Sequence, residues 1–335
     1  MTVLELLGIK HPIIQAPMAG VTTPEFVAAS AEAGVLGSIG AGYLSAEQTR
    51  DVIRQVKMRT DRPIAVNLFV PETVEVGETG LQEAYEALRP IGEKLGMASW
   101  EIPMSKSEFD AQIQVLLEEG VAIASFTFGL PDDAAVRKLK EGGLVLIGTA
   151  TTVEEAILAE RAGMDAVVAQ GKEAGGHRGS FDGELQFIPL DELLPEVVEA
   201  VQIPVIAAGG IGNKGQMDRA LRQGAQAVQI GTALLAAEES GAHLLYKEAV
   251  LNAEEGSTVL TKAFTGKTAR GIRNEFIERM EDAVIAPYPY QNDLTKAIRA
   301  EAAKQGKPEW MSLWAGESVE TSTDGTVREI IERFL

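Results

Sequence analysis

The chain of 335 residues contains no cysteine. This absence excludes disulfides, thiolate metal sites, iron–sulfur clusters and a cysteine nucleophile. Only three histidines occur, so a histidine-rich metal site is not expected. Basic residues are also scarce, because 30 Lys and Arg stand against 49 Asp and Glu and the formal net charge is −19. This deficit argues against binding to nucleic acid or to an anionic membrane surface, since both need clustered positive charge.

Long hydrophobic runs are lacking as well. No apolar stretch approaches the ~20 residues that a membrane span needs, and the N-terminus lacks a basic region followed by an apolar run. We therefore expect a cytoplasmic protein. The composition is 45% hydrophobic and 24% charged, as in ordinary globular proteins with a large core. The length suggests one large domain, alone or with a smaller companion.

Eight short apolar runs read as strands. Most of them are continuously apolar rather than alternating, which is typical of parallel strands that are buried on both faces. The runs cover residues 13–17, 36–39, 64–69, 122–128, 144–147, 166–169, 205–208 and 227–230.

Helix signals lie between these runs. Thr23 and Pro24 provide an N-cap followed by proline at the first helical position. Capping boxes are predicted at 45–48 and 152–155, and a further helix is predicted over 213–223. Each of these helices would connect one strand to the next.

Strand, loop and helix alternate about eight times, which favours an α/β fold whose parallel strands close into a (β/α)₈ TIM barrel. An open doubly wound sheet is the structural alternative. The glycine fingerprint after the first strand of that fold is missing, because Pro17-Met18-Ala19-Gly20 stands there.

Two segments interrupt the alternation. Residues 71–120 form a long charged stretch with helices predicted over 82–95 and 106–119, too long for a simple βα loop. The tail over 241–335 is mostly helical by pattern and has no strand-like run. We expect these pieces to pack together as a smaller, mostly helical domain that caps one barrel end. The predicted barrel comprises 1–70 and 120–240, and the predicted cap comprises 71–119 and 241–335.

Glycines mark a candidate phosphate site. The active end of a TIM barrel lies where strands end and βα loops begin, and there the last two runs carry Gly209, Gly210, Gly231 and Thr232. Glycines let backbone N–H groups approach an anion closely, and a following helix N-terminus adds positive potential. A tight turn is the alternative reading of Gly209 and Gly210.

Two amides and a histidine lie at the same predicted rim. Asn67 and Gln170 end apolar strands, where an amide must find a partner or incur a desolvation cost. A flat heterocycle with imide-like edges would supply such partners, and bonds to neighbouring loops are the alternative. His177 follows in Gly-Gly-His-Arg-Gly, where a neutral imidazole could take a proton from a carbon acid. A solvated loop histidine is the alternative.

Several other residues keep two interpretations each. Glu173 either orients the loop or has no part in binding, and Arg178 either attracts an anionic substrate or faces solvent. His11 is expected to be structural, and His243 to be a packed or surface residue on a helix. Aromatic residues that either line the site or hold structural positions are Tyr288, Tyr290, Trp310 and Trp314, and for the tryptophans a helical core is favoured.

These motifs resemble those of the nitronate monooxygenases, formerly called 2-nitropropane dioxygenases, and particularly their bacterial class I form. The similarity spans nearly the whole chain, and the stretch that contains Glu-Ala-Gly-Gly-His is the most specific part of it. The matching stretches are Gln15-Ala16-Pro17-Met18-Ala19-Gly20, Val66-Asn67-Leu68-Phe69, the residues 169–179, Ala207-Ala208-Gly209-Gly210-Ile211, Val228-Gln229-Ile230-Gly231-Thr232, Thr268-Ala269-Arg270-Gly271 and Trp314-Ala315-Gly316.

The resemblance implies an FMN-containing barrel with a smaller helical domain. It places the phosphate of FMN at Gly231 and Thr232, and the loop at 17–19 beside the isoalloxazine ring. His177 matches the histidine that acts as the base in members that accept neutral nitroalkanes. The residues expected to contact FMN are Ala16, Pro17, Met18, Ala19, Asn67, Gln170, Gly175, Gly176, Gly209, Gly210, Gln229, Ile230, Gly231 and Thr232.

The reaction implied is oxidation of an alkyl nitronate, typically propionate 3-nitronate, by O₂ to a carbonyl compound and nitrite. An FMN-dependent enoyl-acyl-carrier-protein reductase that uses NAD(P)H is the main alternative. A flavin-binding module without turnover and a phosphosugar lyase on the same barrel are the others. Such lyases usually need a Schiff-base lysine at a strand end, whereas Lys172 lies in a loop. A homo-oligomer is compatible with the sequence.

Overall fold

A computed structural model of the chain describes residues 2–72, 74, 76–101 and 106–335. The strands are β1 (Ile13–Gln15), β2 (Gly37–Gly40), β3 (Ile64–Phe69), β4 (Ile123–Thr127), β5 (Val145–Ala150), β6 (Ala166–Gln170), β7 (Gly176–His177), β8 (Val205–Ala208), β9 (Ala227–Ile230), β10 (Thr258–Thr261) and β11 (Ala269–Ile272). The α-helices are α1 (Val3–Leu7), α2 (Pro24–Glu32), α3 (Ala46–Lys57), α4 (Glu78–Lys94), α5 (Phe109–Glu118), α6 (Asp133–Glu141), α7 (Val153–Arg161), α8 (Leu190–Ala200), α9 (Lys214–Arg222), α10 (Leu244–Leu251), α11 (Glu275–Arg279), α12 (Tyr290–Lys304) and α13 (Val327–Glu332). Short 3₁₀ helices lie at Thr232–Leu234, Pro308–Trp310 and Val319–Thr321.

Eight parallel strands form the main sheet in the order β1-β9-β8-β6-β5-β4-β3-β2. The two ends of this order meet through a parallel bridge between Ile14 and Leu36, the residue just before β2. The backbone N–H of Gln15 donates to the carbonyl oxygen of Leu36 at 2.9 Å. The sheet therefore closes on itself. The predicted (β/α)₈ TIM barrel is confirmed, and the open doubly wound sheet is excluded.

Side-chain caps begin several of the barrel helices. Thr23 caps α2, and Ser45 forms a reciprocal capping box with Gln48 at the start of α3. Asn213 caps α9 by accepting a hydrogen bond from the backbone of Gln216. Because each cap satisfies N–H groups that have no partner within the helix, these local signals could be read from the sequence.

The second predicted capping box is wrong. Thr152 caps α7, but the carboxylate of Glu155 does not return to the backbone of the capping residue. It accepts hydrogen bonds from the backbone of Thr151 at 2.6 Å and of Asp182 at 3.0 Å, and from the hydroxyl of Ser180 at 3.0 Å. Glu155 thus binds the loop that follows β7 to the start of α7.

The helix α1 closes one end of the barrel. Val3 and Leu7 belong to a buried cluster with barrel residues that include Ile147 and Val168. The backbone of Val3 also donates to the side chain of Gln226, which directly precedes β9. This end carries the amino termini of the strands, so a binding site is left to the opposite rim.

A second hydrophobic cluster lies outside the barrel core. It joins α4, α10, α11 and α12, and the ring of Phe264 stacks on that of Phe276 with centroids 4.2 Å apart. In contrast, α5 and α13 contribute Phe109 and Ile330 to the barrel's own cluster. The division of the chain into a barrel domain and a cap domain stays a prediction.

The tail contains strands that the sequence did not predict. β10 and β11 pair in antiparallel fashion, and β11 also pairs with β7. The expectation of a tail without strands is therefore wrong. β10 and β11 are only four residues long. Because β11 also contains Gly271, a poor strand former, its pattern is hard to recognise.

Candidate functional site

One cavity opens at the carboxyl ends of the barrel strands. It takes residues from the ends of β3, β6, β8 and β9, from the loop after β1, from β7 and from the tail. Every residue that the sequence predicts for the site lines it, namely Ala16, Pro17, Met18, Ala19, Asn67, Gln170, Gly175, Gly176, His177, Gly209, Gly210, Gln229, Ile230, Gly231 and Thr232. The register explains part of this, because Gln170 is opposite Ala208 and lies next to the glycines that follow β8.

One end of the cavity suits a phosphate. The backbone N–H groups of Gly210, Gly231 and Thr232 donate to no other residue that the structure describes. Gly231 lies close to the residue that follows the neighbouring strand β1, because a Cβ there would be 3.3 Å from the Cβ of Ala16. Thr232 Oγ1 accepts a hydrogen bond from the backbone of Gly316 at 2.9 Å, so its hydroxyl proton is available to a ligand. Free N–H groups beside glycines are the donors that bind phosphate oxygens in other barrels.

The two predicted amides are partly satisfied by the protein. Nδ2 of Asn67 donates to the hydroxyls of Ser125 and Thr127, at 3.0 and 3.1 Å. Nε2 of Gln170 donates to the carbonyl oxygen of His177 at 3.1 Å, and its Oε1 accepts from the backbone of Gly179 at 2.8 Å. Gln170 therefore both lines the cavity and bonds to a neighbouring loop. Asn67 lines the cavity but bonds to the neighbouring strand β4 instead of a loop. No described residue donates to Oδ1 of Asn67, which leaves an acceptor for a ligand.

His177 is held at the cavity by the small antiparallel sheet. In β7 it pairs with Ala269 of β11, and its Nε2 lies 2.8 Å from Oγ1 of Thr265. The rings of Phe128 and Trp314 pack near it, with centroids 5.6 and 5.5 Å away. His177 is a half-buried residue of a structured wall, so the solvated-loop alternative is wrong.

The imidazole of His177 is neutral at pH 7. Burial lowers its pKa to about 3, and the positive charges of Arg299 and Lys267 act in the same direction. Lys267 is paired with Glu72, and its Nζ lies 4.5 Å from the ring centroid of Phe128. A neutral imidazole in contact with a cavity can accept a proton from a bound carbon acid.

Comparison with known proteins identifies the chain. The family model described as nitronate monooxygenase matches residues 1–335. The chain belongs to the nitronate monooxygenase family. Probable nitronate monooxygenases of Staphylococcus saprophyticus and Staphylococcus aureus (strain MSSA476) are 47% and 41% identical to it, over 93% and 99% of this chain and 90% and 95% of theirs. The sequence resemblance is confirmed, and the protein is an enzyme of the flavin-dependent oxidoreductase class.

Solved structures agree with this placement. A nitroalkane oxidase from Streptomyces ansochromogenes is 38% identical, with a TM-score of 0.94 over 99% of this chain and 96% of that one. FabK from Thermotoga maritima is 32% identical, with a TM-score of 0.79 over 100% of this chain and 94% of that one. The barrel and its tail thus recur together among related enzymes.

Within this member of the nitronate monooxygenase family, Arg178 takes neither predicted position. Its side chain is 1% exposed, so it neither faces solvent nor lines the cavity. Nη1 donates to the carbonyl oxygens of Gln170 and Gly171. Burial lowers the pKa of Arg178 to about 10, which leaves the guanidinium charged at pH 7. Arg178 therefore stabilises the backbone of the loop after β6 without lining the cavity.

Glu173 has the loop-orienting position. Both carboxylate oxygens accept a hydrogen bond from the backbone N–H of Leu190, at 3.1 and 3.0 Å. Burial raises the pKa of this carboxyl group. The side chain therefore fastens the loop after β6 to the start of α8 and does not line the cavity with His177.

The remaining candidates separate into two groups. Trp314 lines the cavity and forms a β-bridge with Gly271, so the favoured helical-core position is wrong. Tyr288 packs beside the site, with its ring centroid 5.4 Å from that of Phe128. The residues that lie away from the cavity lining are Trp310, buried in the second hydrophobic cluster, Tyr290, whose hydroxyl donates to the carbonyl oxygen of Val74, the half-buried His11, and His243, the exposed N-cap of α10.

Phe128 carries a conformation that the sequence did not reveal. Its φ is 71°, in the left-handed region that bulky residues rarely adopt. It directly follows β4, and its ring contacts those of Phe69 and His177. Such backbone outliers often occur at functional sites.

Sequence reasoning also missed part of the lining. Except for one residue at the end of β3, these residues come from loops and from the tail, where no strand-end rule applies. The available signal was a place within or near the matched motifs. They are Tyr43, Phe69, Tyr246, Gly316 and Ser318. Thr265 was missed although it lies just before Thr268-Ala269-Arg270-Gly271.

Proposed function

We propose that the protein is an FMN-dependent nitronate monooxygenase, which oxidises alkyl nitronates with O₂ to a carbonyl compound and nitrite. One observation carries this proposal: the backbone N–H groups of Gly210 and Gly231, which have no partner among the described residues, share a cavity with the neutral His177. A phosphate-bearing cofactor would be bound at the first feature, and a carbon acid would meet a base at the second.

The residues present fit FMN. Gly210, Gly231 and Thr232 would hold its phosphate, and the free oxygen of Asn67 offers an acceptor for an N–H edge of the ring. Gln170 keeps one N–H and further acceptor capacity beyond its loop bonds. FMN, when bound, supplies the electron transfer, and the protein provides position and electrostatic environment.

His177 distinguishes two kinds of substrate. A neutral nitroalkane must lose a proton from carbon, and the unprotonated imidazole can take it. A nitronate is already deprotonated and needs no base. Lys267 and Arg299 favour an anion near His177, because their positive charges act on this part of the site. Propionate 3-nitronate, which carries two negative charges, is the substrate that we propose to test first.

The test is an aerobic oxygen-uptake assay on the purified protein with propionate 3-nitronate, together with nitrite determination. The protein should be yellow, release FMN on denaturation, and consume oxygen while nitrite accumulates. A colourless protein that neither binds FMN nor consumes oxygen would overturn the proposal. A colourless protein would revive the phosphosugar-lyase alternative, and a yellow protein without turnover would support a flavin-binding module.

An enoyl-acyl-carrier-protein reductase is the second candidate. It is favoured by the similarity to FabK from Thermotoga maritima, which extends over 100% of this chain. The matched assay follows NAD(P)H oxidation with an enoyl thioester. Rapid NAD(P)H consumption with the thioester, without nitronate oxidation, would establish the reductase instead.

Three further predictions belong to this proposal. We propose a barrel domain with a helical cap domain, a cytoplasmic location, and a small-molecule substrate rather than a macromolecular one; a homo-oligomer is compatible with all three. Among the described residues, no helix combines the length and apolar character that a bilayer crossing requires. Among the described residues, no three or more acidic or histidine side chains come together as ligands for a metal ion. The proposed reaction uses no metal ion.

A further inference from the structure

Among the described residues, Thr265 is the hydrogen-bonding partner of the ring of His177, and it comes from outside the motif at 169–179. It lies in the tail, 88 residues further along the chain, and is 1% exposed. The pairing of β7 with β11 brings the two together. Its Oγ1 lies 2.8 Å from Nε2 of His177 and 3.1 Å from the carbonyl oxygen of Lys267.

The hydroxyl of Thr265 has one proton to donate and two lone pairs that accept. The carbonyl oxygen of Lys267 can only accept, and no other described residue donates to it. The backbone N–H of Lys267 can only donate, and it points at the same Oγ1 from 3.4 Å. If Thr265 donates to the carbonyl, its oxygen must accept from Nε2, and all three contacts are satisfied at once.

We propose that Thr265 is a positioning residue that fixes the tautomer of His177, with the proton on Nε2 and the free lone pair on Nδ1. This inference rests on the proposed function, because it assigns the atom that takes the substrate proton. No described residue hydrogen-bonds to Nδ1, and His177 lines the cavity. Nδ1 is therefore the ring nitrogen that remains for a substrate.

The step assigned to Nδ1 is one proton transfer. The C–H bond beside the nitro group breaks, its electron pair stays with the substrate to form the nitronate, and the proton forms an N–H bond on Nδ1. The resulting imidazolium donates through Nε2 to Thr265, which in turn donates to the carbonyl oxygen of Lys267. This chain of hydrogen-bond dipoles stabilises the new positive charge on the imidazole, whereas the positive charges of Lys267 and Arg299 destabilise it.

The opposite tautomer would be less useful. With the proton on Nδ1, the ring nitrogen without a described partner could only donate, and Nε2 would need the hydroxyl proton of Thr265. The carbonyl oxygen of Lys267 would then lose its only described donor. A wrong tautomer of a catalytic histidine lowers turnover even when the geometry is intact, as in serine proteases whose triad aspartate is replaced.

The first experiment reads the tautomer directly. The FMN-bound protein is labelled with ¹⁵N-histidine, and NMR at neutral pH shows which ring nitrogen of each histidine carries the proton. The chain has only three histidines, and His177→Asn identifies the signals of His177 by their loss. We expect the proton on Nε2 in the parent and in Thr265→Ser, and a mixture of tautomers or a proton on Nδ1 in Thr265→Val. A proton on Nδ1 in the parent, or an unchanged tautomer in Thr265→Val, would overturn the inference.

The second experiment compares two substrates. Thr265→Val keeps the shape of the side chain but removes the hydroxyl, and Thr265→Ser restores it. We expect kcat/KM for a neutral nitroalkane to fall about tenfold or more in the valine variant, a part of the 10²–10⁴-fold that general bases typically contribute. Turnover of the preformed nitronate should fall much less, and serine should recover most of the loss. Equal losses on both substrates would contradict the assignment.

Failure of the proposed function and failure of the inference about Thr265 give different results. If the parent oxidises neither substrate, the proposed function fails, whereas the NMR result still decides the tautomer. If the parent oxidises both and Thr265→Val behaves like the parent on both, the function stands and the role of Thr265 is refuted.

Discussion

Arg178 donates hydrogen bonds from Nη1 to the carbonyl oxygens of Gln170 and Gly171, at 3.1 and 2.5 Å. The side chain of Gln170 in turn donates to the carbonyl oxygen of His177. A buried cation, an amide at the end of a strand and the candidate base are thus connected in one network. The backbone that positions the amide and the base therefore depends on a charge that never reaches the cavity.

Replacing this cation should destabilise the fold. In Arg178→Met both carbonyl oxygens lose the donation from Nη1, but that of Gly171 still accepts from the backbone of Ala174 at 3.2 Å. The carbonyl oxygen of Gln170 loses its side-chain donor, and an unsatisfied buried acceptor costs about 1–3 kcal/mol. The nearby carboxylates of Glu155 and Glu173 also lose an opposite charge. We expect the free energy of unfolding to fall by about 2–5 kcal/mol, measured by urea denaturation of the FMN-free protein.

Arg178→Lys is the matched variant, because it keeps the charge but not the planar fork. It should lie between the parent and Arg178→Met. A methionine variant as stable as the parent would show that the unpartnered Nε and Nη2 of Arg178 already offset its other contacts.

His177 should make stability depend on pH. Its pKa falls from an ordinary 6.5 to about 3 on folding. The unfolded chain therefore binds the proton more strongly, so stability decreases as the pH falls from about 6.5 towards 3 and is independent of this group above 6.5. Comparing urea midpoints at pH 7, 6 and 5, we expect His177→Asn to lose less stability on acidification than the parent. Parallel curves for both proteins would contradict the lowered pKa.

Substitution of His177 should separate the two substrate classes. His177→Asn removes the base but keeps a polar side chain of similar size, so FMN should remain bound. We expect turnover of a neutral nitroalkane to fall by about 10²–10⁴-fold and turnover of the nitronate to fall far less. Steady-state oxygen uptake with both substrates measures the difference. If the two activities fall together, His177 is not the proton acceptor.

The rim of the barrel was predictable because of a simple geometric rule. Parallel strands place their carboxyl ends at one edge, so Asn67, Gln170, Gly209 and Gly231 had to meet once the strands were recognised. The structure places all of them on the same cavity.

The contacts behind the rim could not be predicted in this way. Neighbouring residues of an extended segment point to opposite sides, so His177 lines the cavity while Arg178 is buried, but the sequence does not say which side is which. Thr265 reaches His177 through a short antiparallel pairing between segments 88 residues apart. Such non-local pairing leaves no periodic pattern in either segment.

The loop that carries His177 fits closely against the tail. A Cβ on Gly175 would lie 2.5 Å from the backbone nitrogen of Gly316, too close for any real contact. That same nitrogen donates to Oγ1 of Thr232 at the proposed phosphate site. Gly175→Ala must therefore displace the tail, and we expect FMN to bind about tenfold or more weakly, a loss of about 1.4 kcal/mol.

Gly80→Ala is the control for this variant. Gly80 lies within α4, and among the described residues a Cβ there would meet only Cγ2 of Val76, at 3.8 Å. Alanine should stabilise this helix by about 0.5–1 kcal/mol and leave FMN binding unchanged. Fluorescence titration of the FMN-free proteins gives the Kd of each. Equal FMN affinity in Gly175→Ala and in the control would show that the tail moves without disturbing Thr232. The close packing at Gly175 would then not determine the affinity for FMN.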